Sequence, residues 1–545
     1  VLIPLAVIAG LYLIIAGRST LWDRDEPRFS RATVEMIESG NYLVPTFNGH
    51  LRPDKPILIY WLMSIPVRIF GPTAFACRFV SAIGMALTGL FTFLIGVRLL
   101  DGRAALWSVV VLASTVQCVV LGTAATADAV LLPCMTACMA IFVWAWPKGR
   151  LGLWDTLGMG LSLGLAQLTK GPVGLLPVLV IATILVILRG QWAGKARRFV
   201  VPLITSALIG VGLFLAWGIP ANAATGGEFL QMGIGHHVLE RSARPLEGHG
   251  GGLLLFLPYY PVILMATFFP WTLHLFGGIA RTLSGELVDK TGRAILLGWV
   301  AAVVILMTLV ATKLPHYVLF AWPALSLMVG GTLAASERET LRDPTAKWLR
   351  GGVWALAPVA LAAAVGIIVG PWALPLPGLR PWGVVCGLLL AATAIMAIRY
   401  QLADLPCRSA KVLVAGMVLM LVPLCIGVFP GVERQKVSPR LAKAVVEQTP
   451  GQTPVAAFVY AEPSLNFYIG RPIETLKGKE DVIGWLGRDG PGVLIIPRDT
   501  FAGLVEEDGP FKTGPVASVK GINYSKGQPI EILAVSRMSH RESPQ

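Results

Sequence analysis

The chain has 545 residues, 55% of them hydrophobic and 14% charged, with a formal net charge of +14. This composition excludes a soluble globular protein, because apolar stretches of roughly 17–25 residues, each long enough to cross a bilayer, recur from residue 1 to about 430. The positive charge does not indicate nucleic acid: Lys and Arg are spread over the connections between apolar segments and form no basic aromatic stripe, so a polyanionic membrane surface is the better partner.

In chain order, spans are expected near 1–17, 75–98, 104–122, 128–146, 153–168, 172–188, 199–219, 253–277, 293–311, 316–334, 352–370, 381–398 and 411–430, about thirteen in all. The first leads a whole series and reads as a retained span rather than a cleaved signal peptide. Between the first two lies a polar knot, W-D-R-D-E-P-R-F from Trp22 and R-P-D-K-P-I-L-I-Y-W from Arg52. Within it, Asp25 and Glu26 open a helix signal in which Pro27 suits the first turn and Gly40 the stop. The run 57–71 is too short for an ordinary span, contains Pro66 and Arg68, and is expected as an interfacial or re-entrant helix.

With that run left out, the loops alternate in basic content. One set holds Arg98/Arg103, Lys148/Arg150, Arg189/Lys195/Arg197/Arg198, Arg281/Lys290/Arg293, Arg338/Arg342/Lys347/Arg350 and Arg399/Arg408/Lys411; the other has Lys170, Lys313 and Arg380 nearly alone. The positive-inside rule assigns the first set to the cytoplasm. The loop 18–74, Asp128, Lys170, the long loop 220–252, the Lys313 loop and the C-terminal part then share the outer face. Residues 1–430 form the membrane domain with juxtamembrane helices in 18–74, and residues 431–545 an outer soluble α/β domain of alternating helix-like and strand-like pieces.

Chemistry is expected where charge gathers at a membrane edge. Asp25 is the strongest candidate, a carboxylate able to deprotonate or orient an acceptor; Asp23 and Glu26 compete with it, and capping of the following helix explains any of the three. Asp128, in T-A-A-T-A-D-A-V, is a second candidate, with the N-cap of the next span as its plain alternative. Lys55, Lys170, Lys313 and Arg241 could hold a lipid-linked phosphate at that depth, and Tyr317 could add a hydroxyl donor; snorkelling and a belt tyrosine are the plain alternatives. His236 and His237, with Asp54 or Glu240, could hold a divalent metal, but adjacent histidines do not share a helix face. No other cofactor is expected. The seven cysteines form no disulfide framework or metal set.

In their order and spacing, W-D-R-D-E-P-R-F, R-P-D-K-P-I-L-I-Y-W, T-A-D-A, T-K-G-P, G-H-H-x-x-x-R, T-K-L-P-H-Y and S-L-N-F-Y-I-G-R-P resemble the bacterial polyprenyl-phosphate-sugar glycosyltransferases of the GT-C fold. Among these the chain is most similar to the lipid A 4-amino-4-deoxy-L-arabinose transferases. The resemblance implies an inner-membrane enzyme with a periplasmic site, an undecaprenyl-phosphate sugar donor and a lipid A or lipopolysaccharide acceptor. It implies that Asp25 matches the family's key acidic position and that Lys55, Arg241 and Tyr317 hold the donor phosphate. Relatives often carry Glu-Lys where this chain has Asp54-Lys55. Protein O-mannosyltransferase relatives share some motifs, so transfer to a protein or glycan hydroxyl is the alternative. A lipid-linked sugar transporter ranks last, because the polar residues gather on one face and no internal repeat is evident.

Overall fold

A computed structural model describes residues 2–192, 196–233, 256–339, 341, 343, 345–374, 376–508, 513–523 and 527–537. The chain is a polytopic α-helical membrane protein as far as Glu433, followed by a small α/β unit. Among the described residues, nine helical segments are long and apolar enough to cross a membrane, or eleven if each of two sharply bent pairs counts as one span. One pair joins α5 (Gly102–Ser114) to α6 (Val116–Gly122) at 68°, the other Tyr259–Thr267 to Thr272–Ser284 at 118°.

The expected thirteen differ from eleven in two places. Helix α1 (Leu2–Ala16) has 15 residues, a rise of about 22 Å, short of the roughly 30 Å hydrocarbon core. Residues 153–187 pass as one 35-residue segment, where two spans are expected. Here the packing supports a reversal. The Leu151 N–H donates to the Arg198 carbonyl at 3.0 Å, yet a straight helix over 153–187 would put its ends about 52 Å apart. The short connection after Ile187 cannot return that far at about 3.6 Å per residue. The chain turns at Gly171, whose φ of +64° and ψ of −143° suit glycine alone, and Gly174 then lies against the backbone of Ala166 and Gln167 with no room for a Cβ.

Helix α2 spans Asp25–Ser39 and ends at Gly40 with φ +70°, as its start and stop signals predict. Helix α3 (Leu58–Phe70) has 13 residues with Pro66 inside it. It packs between α2 and α4 (Ala74–Leu99) and leaves Ile65, Ile69 and Phe70 exposed, the one-sided apolar face of a helix lying at an interface. Between α2 and α3, strands β1 (Thr46–Phe47) and β2 (His50–Leu51) form a small antiparallel hairpin.

The C-terminal unit opens with the helix Val437–Gln448. Its sheet runs in the order β4-β3-β5-β7-β6, from β3 (Val455–Phe458), β4 (Ile473–Leu476), β5 (Gly492–Pro497), β6 (Thr513–Asn523) and β7 (Gln528–Arg537). Strands β4, β3 and β5 are parallel, and β7 and β6 join antiparallel. The run S-L-N-F-Y-I-G folds as the helix Pro463–Ile469, and β4 is a four-residue strand with no period-two signal in its sequence. This unit is fastened to the loop 18–74. Asn48 donates its amide to the Ile473 carbonyl (2.8 Å) and accepts from the Ile473 N–H (2.7 Å). Phe467 enters the same apolar cluster as Leu21, Phe29, Tyr60, Ala127 and Trp217.

Candidate functional site at the mouth of the helical bundle

Two carboxylates of the polar knot have structural work. Glu26 is 3% and Arg78 1% exposed, and their side chains pair through two bonds of 2.8 and 2.7 Å. Glu26 also accepts from the N–H groups of Trp22 and Ala125, while Arg78 donates to the carbonyls of Ala16, Ser19 and Thr20. Every strong valence of the buried pair is met, which is the condition for burying charge at all. Asp23 accepts from the Ser464 N–H (2.8 Å) and hydroxyl (2.6 Å), binding the start of the helix Pro463–Ile469. Lys436 reaches back to the Thr20 carbonyl and lies 3.8 Å from the centre of the Trp22 ring. Asp25, between these anchored neighbours, is exposed. Its carboxylate makes no hydrogen bond or ion pair to a described residue, although Arg52 and His316 lie within its field.

Next to this segment a cavity of about 450 Å³ opens, lined at its polar end by Asp54, Lys55, Asp128, Lys170, His316 and Tyr317. Its walls are apolar, with Leu131, Met135, Phe214, Trp217, Ile219 and Phe320 among them. Asp128 is not the cap of its helix: α7 runs Ala127–Ala145, its N-cap position is Thr126, and the Asp128 carboxylate bonds Lys170 at 2.6 Å instead. Lys170 is the last residue of α8 (Leu153–Lys170), so the turn at Gly171 delivers its ammonium to the cavity. That ammonium lies 5.7 Å from the centre of the Tyr317 ring, and His316 Nε2 stands 4.0 Å from the second oxygen of Asp128. Pro315 opens a 3₁₀ turn over Pro315–Ala321, which places His316 and Tyr317 side by side at the cavity end.

Asp54 is held by Arg52 at 2.9 Å, and the Arg52 Nε donates to the Tyr60 hydroxyl at 3.1 Å. Burial opposes the charge on Arg52, but Tyr60 and Asp54 outweigh it and hold the guanidinium above its ordinary range; burial likewise pushes the Tyr60 phenol up. Asp54 is therefore engaged by a cation rather than by other metal-binding groups. Among the described residues no group of three or more His, Cys, Asp and Glu could hold a metal. His236, His237 and Arg241 lie outside the described residues.

Lys313 is placed differently from the other expected cations. It is buried and does not line the cavity. Its Nζ donates to the carbonyls of Met307 (3.2 Å), Thr308 (2.5 Å) and Val310 (2.5 Å), closing the end of the helix Lys290–Leu309, and faces the Tyr260 ring. A lysine on the terminal carbonyls of a helix is in its favoured electrostatic place. His316 is the cavity residue that sequence reasoning passed over. The available signal was its position beside Tyr317 in K-L-P-H-Y, at a span mouth on the face that carries Asp128 and Lys170.

Comparison with known proteins agrees with the motifs. Residues 54–217 match the family described as dolichyl-phosphate-mannose-protein mannosyltransferase. The chain is 29% identical over 375 residues to the undecaprenyl phosphate-alpha-4-amino-4-deoxy-L-arabinose arabinosyl transferase 2 of Sodalis glossinidius, covering 68% of this chain and 65% of that protein. It is 29% identical over 439 residues to the corresponding transferase of Pectobacterium carotovorum, covering 78% and 75%. The crystal structure of ArnT from Cupriavidus metallidurans bound to undecaprenyl phosphate superposes with a TM-score of 0.77 at 18% identity, covering 100% of this chain and 99% of that one. The resemblance carried by the motifs is thus upheld: the chain has the ArnT fold over its whole length and is similar in sequence to the aminoarabinosyl transferases.

Proposed function

We propose that the protein is an integral membrane glycosyltransferase that moves 4-amino-4-deoxy-L-arabinose from undecaprenyl phosphate to a lipid A phosphate on the periplasmic side of the bacterial inner membrane. The observation that carries this reading is the cavity, apolar along its walls and bearing Lys55, Lys170 and Tyr317 at one end, a shape and charge suited to an isoprenoid chain ending in phosphate. The names of the relatives supply the sugar and the lipid carrier. In this reading 1–430 is the catalytic membrane domain and 431–545 a periplasmic domain that steadies the segment carrying Asp25.

The leaving group is already a good anion, so cations placed where its charge develops can supply the main electrostatic stabilisation without a general acid. An acceptor phosphate is ionised at neutral pH and needs no base. Asp25 then orients the donor through the ammonium group of the aminosugar, whereas Asp128 holds Lys170 in place. Lys55, Lys170, Tyr317 and Arg241 take the donor phosphate, and Lys313 supports them from behind by fixing the end of its helix. The mannosyltransferase match over 54–217 favours a second reading, transfer to a hydroxyl with Asp25 as base.

A single transfer experiment separates them. Purified protein is supplied with undecaprenyl-phosphate-linked aminoarabinose and either lipid A or a hydroxyl acceptor, and products are read by mass spectrometry. Transfer to lipid A is the expected result. Transfer to the hydroxyl acceptor alone would replace this reading by the second.

A further inference from the structure

The cavity carries a charge balance that the phosphate reading leaves incomplete. Among the described residues, Lys170 pairs with Asp128 at 2.6 Å, Lys55 lines the cavity beside Asp54, and Arg52 pairs with Asp54 at 2.9 Å. Lys55 and Lys170, each beside a carboxylate, suit a donor phosphodiester with one negative charge. The reaction alters that match. The bond from the anomeric carbon to the donor phosphate oxygen breaks with its electron pair passing to that oxygen, and an acceptor phosphate oxygen forms the new bond to the carbon. The acceptor loses one negative charge and the donor phosphate, now a monoester, approaches two at neutral pH, since its second pKa lies near 6 (about −1.5 to −2 in all). The second charge develops inside the cavity.

His316 lines the same polar end, with a side chain 29% exposed. Of the groups around it, Asp128 on α7 lies 4.0 Å away and Asp25 on α2 is within its field; both favour an imidazolium. Lys170 on α8 and Lys55 before α3 oppose one, and Tyr317 packs edge-on against the ring at 5.1 Å. Burial of the ring opposes the charge most strongly, the fields of these neighbours pull against each other, and a second negative charge on the phosphate tips the balance toward the protonated ring. We infer that His316 is a further catalytic residue of this reaction: it takes up a proton from the buffered solvent, whose conjugate base remains there, and donates an N–H hydrogen bond to the phosphate oxygen that receives the electron pair. The inference rests on the donor reading above and deepens it by naming the group that answers the product's extra charge. The dianion therefore gains from His316, and the monoanionic donor much less.

The test compares the inhibition constant of undecaprenyl phosphate with the KM of the sugar donor, for the full-length wild type, His316→Gln and His316→Phe, across the range of about pH 6 to 8 in which histidine titrates. The sign follows from the two groups. Above pH 6 the phosphate is increasingly dianionic, which alone would strengthen binding to a cationic cavity, so a loss of affinity as pH rises marks a proton lost from the protein. The expected wild-type result is product affinity falling several-fold from about pH 6.5 to 8. In both variants that fall is absent, product affinity at about pH 6.5 is roughly tenfold weaker and kcat is lower, as for loss of one charge-assisted hydrogen bond, while donor KM stays within about twofold. A wild type whose product affinity holds or rises over that range overturns the inference without any variant. So does a donor KM that rises in step with the loss of product affinity. Undecaprenyl phosphate failing to bind the wild type at every pH would overturn the donor reading itself.

Discussion

Two acid–base pairs of nearly equal length have different roles. Glu26 and Arg78 meet at 2.7 Å, Asp128 and Lys170 at 2.6 Å. Around the first, backbone groups of residues 16–22 and of Ala125 fill the remaining valences and both side chains are almost wholly buried. Around the second, the side chains are 15% and 14% exposed, on the wall of a 450 Å³ space. Distance does not separate a structural ion pair from one placed for ligand binding. What separates them is whether donors and acceptors remain for something that is not yet there.

Breaking the closed pair has the largest expected effect. Arg78→Met strips partners from Glu26 and from the Ala16, Ser19 and Thr20 carbonyls, and removal of one member of a buried pair costs about 3–5 kcal/mol. Thermal unfolding and gel filtration in detergent should show a protein that is poorly recovered or melts far lower. A melting curve like that of the parent would show that the pair is dispensable to the fold.

Asp25→Asn should do the reverse, folding and inserting normally while losing nearly all transfer, because it removes charge from a carboxylate that no described residue ties down. Asp23→Asn, which weakens the Ser464 contact, should lose less. Equal activity of Asp25→Asn and the parent would remove Asp25 from the chemistry.

The cations sharpen the contrast further. Lys55→Ala and Lys170→Ala should each weaken donor use by about 1.5–3 kcal/mol, roughly ten- to a hundredfold in KM. Lys313→Met should instead lower the melting temperature and leave donor KM close to that of the parent, since its ammonium is spent on helix carbonyls. Donor KM rising as much in Lys313→Met as in Lys55→Ala would return Lys313 to the phosphate site. The smallest effect concerns the clasp: Ser464→Ala removes one hydroxyl bond to Asp23 and should cost about 1 kcal/mol of stability, or more because the acceptor is charged. A phosphatase reporter fused after residue 435 should be active if this clasp and the cavity face the periplasm; activity of a cytoplasmic reporter alone would place both on the other side.

How much of this was legible in the sequence depended on the kind of signal. Apolar length and the Asp25–Gly40 start and stop signals located spans and α2 well, because they are local properties of the chain. Counting spans failed at α1, where bilayer thickness decides rather than composition, and the division between α8 and Leu176–Ile187 rests on a glycine turn that apolar length does not show. Among the charged residues, sequence separated polar from apolar but not open from closed. Glu26 and Asp25 are adjacent, yet only the packing of Arg78, 52 residues on, distinguishes them. Lys313 and Lys170 both follow apolar runs, and the geometry of a helix end gave them different partners. His316 was missed because a lone histidine beside a proline has no spacing to read.

The open pair of Asp128 and Lys170 marks the polar end of the proposed lipid-phosphate site. The most direct measurement is the structure of this protein with undecaprenyl phosphate added. Phosphate density is expected at the cavity end, its oxygens about 3 Å from Lys55 and Lys170, with the isoprenoid along Leu131, Phe214 and Trp217. Phosphate density at Lys313, or a lipid bound elsewhere with this cavity empty, would contradict this assignment.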